Sequence, residues 1–351
     1  MEPEIMVPIK TMANENTRII LSGDPKQLGP IIRSAVASRL GLATSFLNRL
    51  VERDVYSDRA NSGITMVKLT KNWRSHNTIL RFPNDNFYNG ELEACGPRMV
   101  IDSLLGSPVL ANKNFPVVFH GIAGLDAREE GSPSFFNVDE ISLIYKYVEE
   151  LRMDRTRRIT DQDIGVISPY NAQGKKLRKR LQPQYENIDV GSVEKFQGQE
   201  RKVILITTVR SQRSNVQHDL KHLLGFLVSP RRMNVALTRA KALLVVVGNP
   251  RILGLDPLWR KFLNYVYRNG GWKGLEPDWD PSQDPPDGPG GSGGERTVKK
   301  TGLPAMESLA EEQMHEVRRA VEDDTESEDD YDEGRREANE DRGPWVRGDN
   351  E

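Results

Sequence analysis

The chain has 351 residues, room for two compact domains, or one and a long tail, at roughly 150 residues per domain. Its 49 Lys and Arg against 51 Asp and Glu give a formal charge of -2, but residues 321–351 hold 14 acidic and 4 basic side chains (net -10), leaving the first 320 residues 45 basic against 37 acidic, or +8. One cysteine, Cys95, excludes a disulfide framework or a zinc–thiolate site built by this chain alone; no apolar run nears the ~18 residues of a membrane span, and the N-terminus lacks a secretory pattern, so a soluble intracellular protein in a reducing compartment is expected.

In chain order, a helical pattern over Glu4 to Ala13 precedes a single apolar run, Arg18 to Leu21, too little to close a sheet. The run leads into Ser22-Gly23-Asp24-Pro25-Lys26-Gln27-Leu28-Gly29-Pro30, the kind of strand-end loop with which α/β sheets present ligand-binding groups. The neutral amide of Gln27 suits a terminal phosphate or its attacking water; read alone, the loop is a turn. Next come a strand pattern over Thr65 to Leu69, then Asn72-Trp73-Arg74-Ser75-His76 and a helix over Asn77 to Phe87. Ser75 or Asn77 is expected to cap that helix, and His76 to pack or cap rather than bind metal. Arg74 stands at a strand exit, either as a surface ion-pair member or free to reach beyond the domain.

Strands are expected over Val117 to His120, Ile164 to Ser168, Val203 to Val209 and Leu243 to Val247, with helices over Val138 to Leu151, Ala172 to Leu181 and Pro230 to Ala240. Continuous apolar strands between helices predict an α/β fold with a parallel sheet buried on both faces. Ser168-Pro169-Tyr170 precedes a helix bearing Lys175, Lys176, Arg178, Lys179 and Arg180. A hydroxyl, a ring and a cation cluster are the ingredients of a single-strand groove, with a solvated basic face as the bland alternative. Val190-Gly191-Ser192-Val193-Glu194-Lys195-Phe196-Gln197-Gly198-Gln199-Glu200 offers glycines for close backbone approach and a carboxylate, and is unspecific by itself. Arg231 to Lys241 places Arg232, Ala236 and Arg239 about a turn apart, with Arg239 at a core edge where a cation needs an anionic partner. Trp259 lies in an apolar helix pattern and is expected in the core. From Glu276 to Gly294, Pro, Gly, Asp and Ser predominate, which reads as linker. A weak helix around Ala305 to Ala320 and the acidic run Glu322 to Glu333 follow; this tail reads as a solubilising segment, with charge competition or partner binding as the alternative.

Together the five motif blocks resemble the later motifs of superfamily 1 RNA helicases of the up-frameshift-like group, and are most similar to the Armitage and Moloney-leukaemia-virus-10-type family. Asn84 to Leu92, Phe119-His120-Gly121 and Ser132 to Asn137 add to the resemblance, which covers about Glu2 to Gly271. It implies RecA-like domains of the P-loop NTPase type, with ATP and Mg²⁺ at an interface and single-stranded RNA across the top. The domains would be residues 1–62, the end of a first RecA-like domain; 63–273, a second one; and 274–351, a tail. Gln27 would sense the γ-phosphate, Arg74 and Arg239 would be arginine fingers, and Glu200 would sit near the ribose and the fingers. Ser168, Pro169, Tyr170, Ser192 and Val193 would line the RNA path, with Tyr88 a weaker addition. RNA-silencing proteins and cytoplasmic ribonucleoprotein granules are the implied partners and setting.

The sequence departs from the family where the chemistry is hardest. No Gly-x-x-x-x-Gly-Lys-Ser/Thr loop occurs, Gly288 to Gly294 lacks the following Lys-Ser/Thr, and Asp139-Glu140 lies in a helix pattern rather than standing as a Mg²⁺-holding pair. The expectation is that Met1 is an internal methionine of a longer helicase and that the chain alone is inactive. A non-catalytic RNA- or protein-binding module is the alternative, and the residues by themselves leave a DNA helicase open.

Overall fold

The computed structural model describes residues 1–30, 32, 34–56, 65–129, 134–212 and 229–285. Both the tail helix around residue 310 and the acidic run lie outside the described residues, as does the expected domain boundary at residues 62 and 63. The described residues form two compact units, one holding residues 1–20 and those of 30–49, the other residues 21–29 and those from 50 to 285. In the first, helix α1 (Glu2–Met12) starts with acidic residues in its first turn, favourable at a helix N-terminus, and buries none of its residues.

The second unit is built on six parallel strands in the order β10-β3-β9-β8-β6-β7: β3 (Val117–Gly121), β6 (Ile164–Ile167), β7 (Asp189–Gly191), β8 (Arg201–Thr207), β9 (Ala240–Gly248) and β10 (Trp272–Gly274). Successive side chains of a strand point to opposite faces, and β9 is apolar on both. Leu244 and Val246 join one core with Phe119 and Ile206, under α2 (Asn77–Phe87), α5 (Pro230–Leu237), α6 (Pro250–Leu253) and α7 (Pro257–Arg268). Leu243, Val245 and Val247 join the other with Val118 and Leu205, under α3 (Val138–Met153) and α4 (Asn171–Leu181). Each of these side chains is at most 1% exposed, worth ~1.5–3 kcal/mol of transfer free energy apiece. Trp259 lies in the first core, 1% exposed. The architecture is RecA-like: a doubly covered parallel sheet.

Three expectations change. Arg18 to Leu21 forms no strand, and Ile20 is 90% exposed; a parallel strand needs a ladder partner, and none among the described residues pairs with it. Thr65 to Leu69 is likewise not a strand, with Leu69 88% exposed and only an isolated bridge at Met66; the first strand is β1 (Lys71–Asn72), which runs parallel to β2 (Glu93–Ala94). Nor does the fold end at residue 273. Strand β10 extends the sheet at β3, and Leu275 N donates to Gly121 O at 2.8 Å, so close that a Cβ on Gly121 would stand 2.3 Å from Leu275 O. The next residues stay attached, Trp279 Nε1 donating to Asn264 Oδ1 (2.7 Å) and Arg268 pairing with Asp284 (2.9 Å). The start of the stretch read as linker is therefore packed structure.

Candidate functional site

Strands β8 and β9 begin side by side, Arg201 opposite Ala240. Residues 72–76 are stitched to that edge: Ser75 Oγ donates to Ala240 O (2.7 Å), His76 N donates to Lys241 O (2.8 Å), and Asn72 Oδ1 accepts from the backbone N–H of Arg74 and Ser75. Arg74 is thereby set against Glu200, its Nε in an ion pair with the carboxylate and its Nη1 3.3 Å from Thr238 O. Lys241 Nζ holds the other carboxylate oxygen at 2.8 Å. Burial opposes charge on Glu200, but hydrogen bonds from Lys241 and Arg74 and their positive charges outweigh it, drawing the carboxyl down to about 2. The cap of α2 is His76, not Ser75 or Asn77: its Nδ1 accepts from Thr78 N, while Ser75 is turned inward by its bond to Ala240.

Arg239 follows α5 by two residues. The helix ends at Leu237, so Arg232, Ala236 and Arg239 do not share a face; Arg232 pairs with Glu194 (2.9 Å) and Ala236 is core. The guanidinium of Arg239 folds back to the orphan helix carbonyl of Val235 (Nε, 3.0 Å), to Thr238 Oγ1 (3.1 Å) and to Gln199 O (3.4 Å). It is 2% exposed, and none of these partners is anionic. Burial first, then the charge of Arg74, bring its pKa down to about 10, against the pull of Tyr88, Glu200 and Asp24; it remains a cation at neutral pH. Two guanidiniums and a carboxylate thus meet where the sheet begins.

Gln27 belongs to the same unit. Asp24 organises its loop, accepting from Lys26 N (2.9 Å), Gln27 Nε2 (2.7 Å) and Tyr88 OH (2.7 Å). Asn234, fully buried in α5, donates to Lys26 O and to Tyr88 OH, both at 2.9 Å, and Leu28 packs on the core. Tyr88, read as an RNA-path residue, is instead tied into this cluster, because Asp24 and Asn234 take up its hydroxyl; burial, then Asp24, push that hydroxyl well above its ordinary pKa. Asp24, Asn234 and Lys241 were missed in the sequence. A usable signal existed for Asn234, an amide in the apolar run Met233 to Leu237.

The remaining candidates gather at the opposite edge. Ser168 follows the C-terminal end of β6 and Ser192 that of β7, tied by Ser168 N to Gly191 O (2.9 Å). At ~3.3 Å per residue, the length of β8 separates this edge from Glu200 by roughly 20 Å. Ser168 is 2% exposed and its hydroxyl meets Tyr170 O (3.2 Å), while Pro169, Tyr170 and Ser192 are partly exposed. Val193 is 1% exposed in the first core, so only its backbone can face a ligand. On α4, Arg178 donates to Val190 O, Lys176 pairs with Glu129 and lies over Phe136, and Arg180 lies over Tyr145; Lys175 and Lys179 point to solvent. Residues 192–200 cross back from this edge to the first, anchored by Phe196 (0% exposed) and turned by Gly198 at φ +77°, a conformation that costs glycine little.

A doubly covered parallel sheet with paired guanidiniums at one edge and polar loops at the other is the architecture of a RecA-like domain. A family described as "AAA domain" matches residues 42–251. The mov-10-B.1 protein of Danio rerio is 42% identical over 291 residues, covering 78% of this chain and 29% of its own length. RNA helicase Mov10l1 of Homo sapiens is 43% identical over 284 residues (78% and 23%), and armi of Drosophila melanogaster is 34% identical over 293 (78% and 24%). The chain belongs to the AAA-domain helicases of superfamily 1, in the Armitage and Moloney-leukaemia-virus-10-type family. It spans less than a third of the length of these three relatives.

Proposed function

We propose that this chain is the C-terminal portion of an ATP-dependent RNA helicase, coupling ATP hydrolysis to translocation on single-stranded RNA and to duplex unwinding, in RNA-mediated gene silencing within cytoplasmic ribonucleoprotein granules. The observation that carries it is Arg239, a buried cation met by three neutral oxygens and standing beside a second guanidinium. A desolvated charge of this kind is costly until an anion arrives. ATP supplies phosphates that fit this donor set: Arg74 and Arg239 meet their charge, Gln27 offers an uncharged amide, and Glu200 keeps Arg74 extended. Mg²⁺ fits less well, since no group of three His, Cys, Asp or Glu among the described residues is placed to hold a metal; no step is assigned to the ion. Residues 192–200 join the two edges, a route by which nucleotide state could reach the RNA loops.

The test is Arg239→Ala in a protein carrying this chain together with a phosphate-binding loop. Loss of ~10³ or more in ATP turnover is expected, the scale of an arginine finger, with RNA binding retained. Near-normal turnover would sink the reading. The 351-residue chain, having no such loop, is proposed to bind ATP weakly and to be inactive alone. That same absence favours the second reading, a non-catalytic RNA- or protein-binding module, which predicts RNA binding indifferent to ATP in the longer protein too.

A further inference from the structure

Against the loop 168–170 lies a strand pair absent from the expected elements, β4 (Asp126–Arg128) antiparallel to β5 (Phe135–Asn137). Ser134, just before β5, caps α4 by accepting from Ala172 N (3.0 Å), so strand pair, loop 168–170 and basic helix form one assembly. Arg210 and Asp126 are paired at 3.2 Å beneath it, with side chains 1% and 0% exposed. The Arg210 guanidinium lies 3.4 Å from the centroid of Phe135 and 4.9 Å from that of Tyr170, and its Nε donates to Tyr170 OH (2.8 Å). The two rings meet edge to face at 5.9 Å and both keep part of their surface exposed. Solvent-facing Arg128 lies 5.3 Å from the Phe135 ring. Val209, at φ +70°, turns the chain so that Arg210 enters the protein; its N–H is held by Glu140 (2.9 Å) and its carbonyl by Asn137 (3.2 Å).

A buried ion pair is a poor way to gain stability and a good way to fix geometry. Here the geometry fixed is that of two partly exposed rings at the mouth of the sheet, beside the outward cations Lys175 and Lys179. Faces of that kind, with a guanidinium at their rim, stack on planar heterocycles irrespective of sequence. We propose that Arg128, Phe135 and Tyr170 form a shelf that takes an unpaired base of a single-stranded nucleic acid, and that the buried Arg210–Asp126 pair acts as positioning residues for it. The inference rests on the reading that this edge faces RNA.

The 351-residue chain is titrated into a labelled oligouridine strand and its deoxy counterpart over a range of salt, and crosslinked to a 5-iodouridine strand whose attachment site is mapped by mass spectrometry. Phe135→Leu is expected to weaken binding about tenfold with an unchanged salt slope, since a stacked ring neutralises no phosphate. Tyr170→Phe, which removes only the hydroxyl held by Arg210, is expected to weaken it about threefold. The crosslink is expected on Phe135 or Tyr170. Wild-type binding with Phe135→Leu within twofold, or crosslinks confined elsewhere, overturns the shelf and leaves the RNA reading standing. No binding by the wild type to either strand overturns both. Should Phe135→Leu fail to fold, the wild-type crosslink decides.

Discussion

Two acids behave oppositely because both their burial and their neighbours differ. Glu200 has Lys241 and Arg74 and is drawn down to about 2; Glu140, fully buried, is pushed up to about 7, because burial outweighs the hydrogen bonds from Thr207 and Val209 and Asp126 adds repulsion. Glu140's folded pKa lies above the 4.5 of an exposed glutamate, so its contribution to stability is complete below about pH 4.5 and is lost as pH rises through about 7. Glu140→Gln removes that dependence. Measured by urea denaturation, its stability relative to wild type should rise by a few kcal/mol from pH 4.5 to 8. Taking the difference at each pH cancels groups with the opposite trend, such as His120, whose burial lowers it to about 4. A flat difference would show that Glu140 stays ionised throughout. None of this was legible in the sequence, where Asp139-Glu140 reads as an ordinary acidic helix start; the desolvation comes from β8 passing overhead.

At the level of elements, long periodic segments were readable and short paired ones were not. Helix α2 has the expected bounds, Asn77–Phe87, because its apolar side is written at helical spacing. Strands β7 and β10, three residues each, depend on neighbours remote in the chain. The stretch after β10 shows the same dependence: Pro- and Asp-rich, it is held by Trp279, which packs on the core, bonds Asn264 and lies under Arg260 (5.3 Å). Trp279→Ala should therefore cost about 2–3 kcal/mol, somewhat below the ~3–5 of a fully enclosed aromatic, in an equilibrium urea melt. A cost under ~0.5 kcal/mol would return these residues to the status of linker.

Across the whole molecule, charge is divided between a body of +8 and an end of -10. If the end only solubilises, deleting residues 321–351 should leave affinity for single-stranded RNA within twofold at moderate salt, as read by fluorescence anisotropy. A several-fold gain that vanishes as salt is raised would instead mark it as a competitor for the basic face. Among the described residues no helix is long and apolar enough to cross a membrane. The candidate sites sit at opposite edges of one sheet, which lets a single domain hold the guanidinium cluster and the polar loop set without one crowding the other.

What the sequence determined by itself was the α/β class, the order of the motif blocks and the polarity of the two ends, because buried periodicity and loop chemistry are local and leave local marks. Only the tertiary structure decided which of those residues work together. Arg74 meets Glu200 across 126 positions, and Arg210 meets Asp126 across 84. It also decided that Val193 is core, that Tyr88 serves the Gln27 loop, and that Arg239 lacks an anionic partner among the described residues. Such facts depend on burial and on partners brought from far along the chain, and a charge's meaning changes with the water taken from around it.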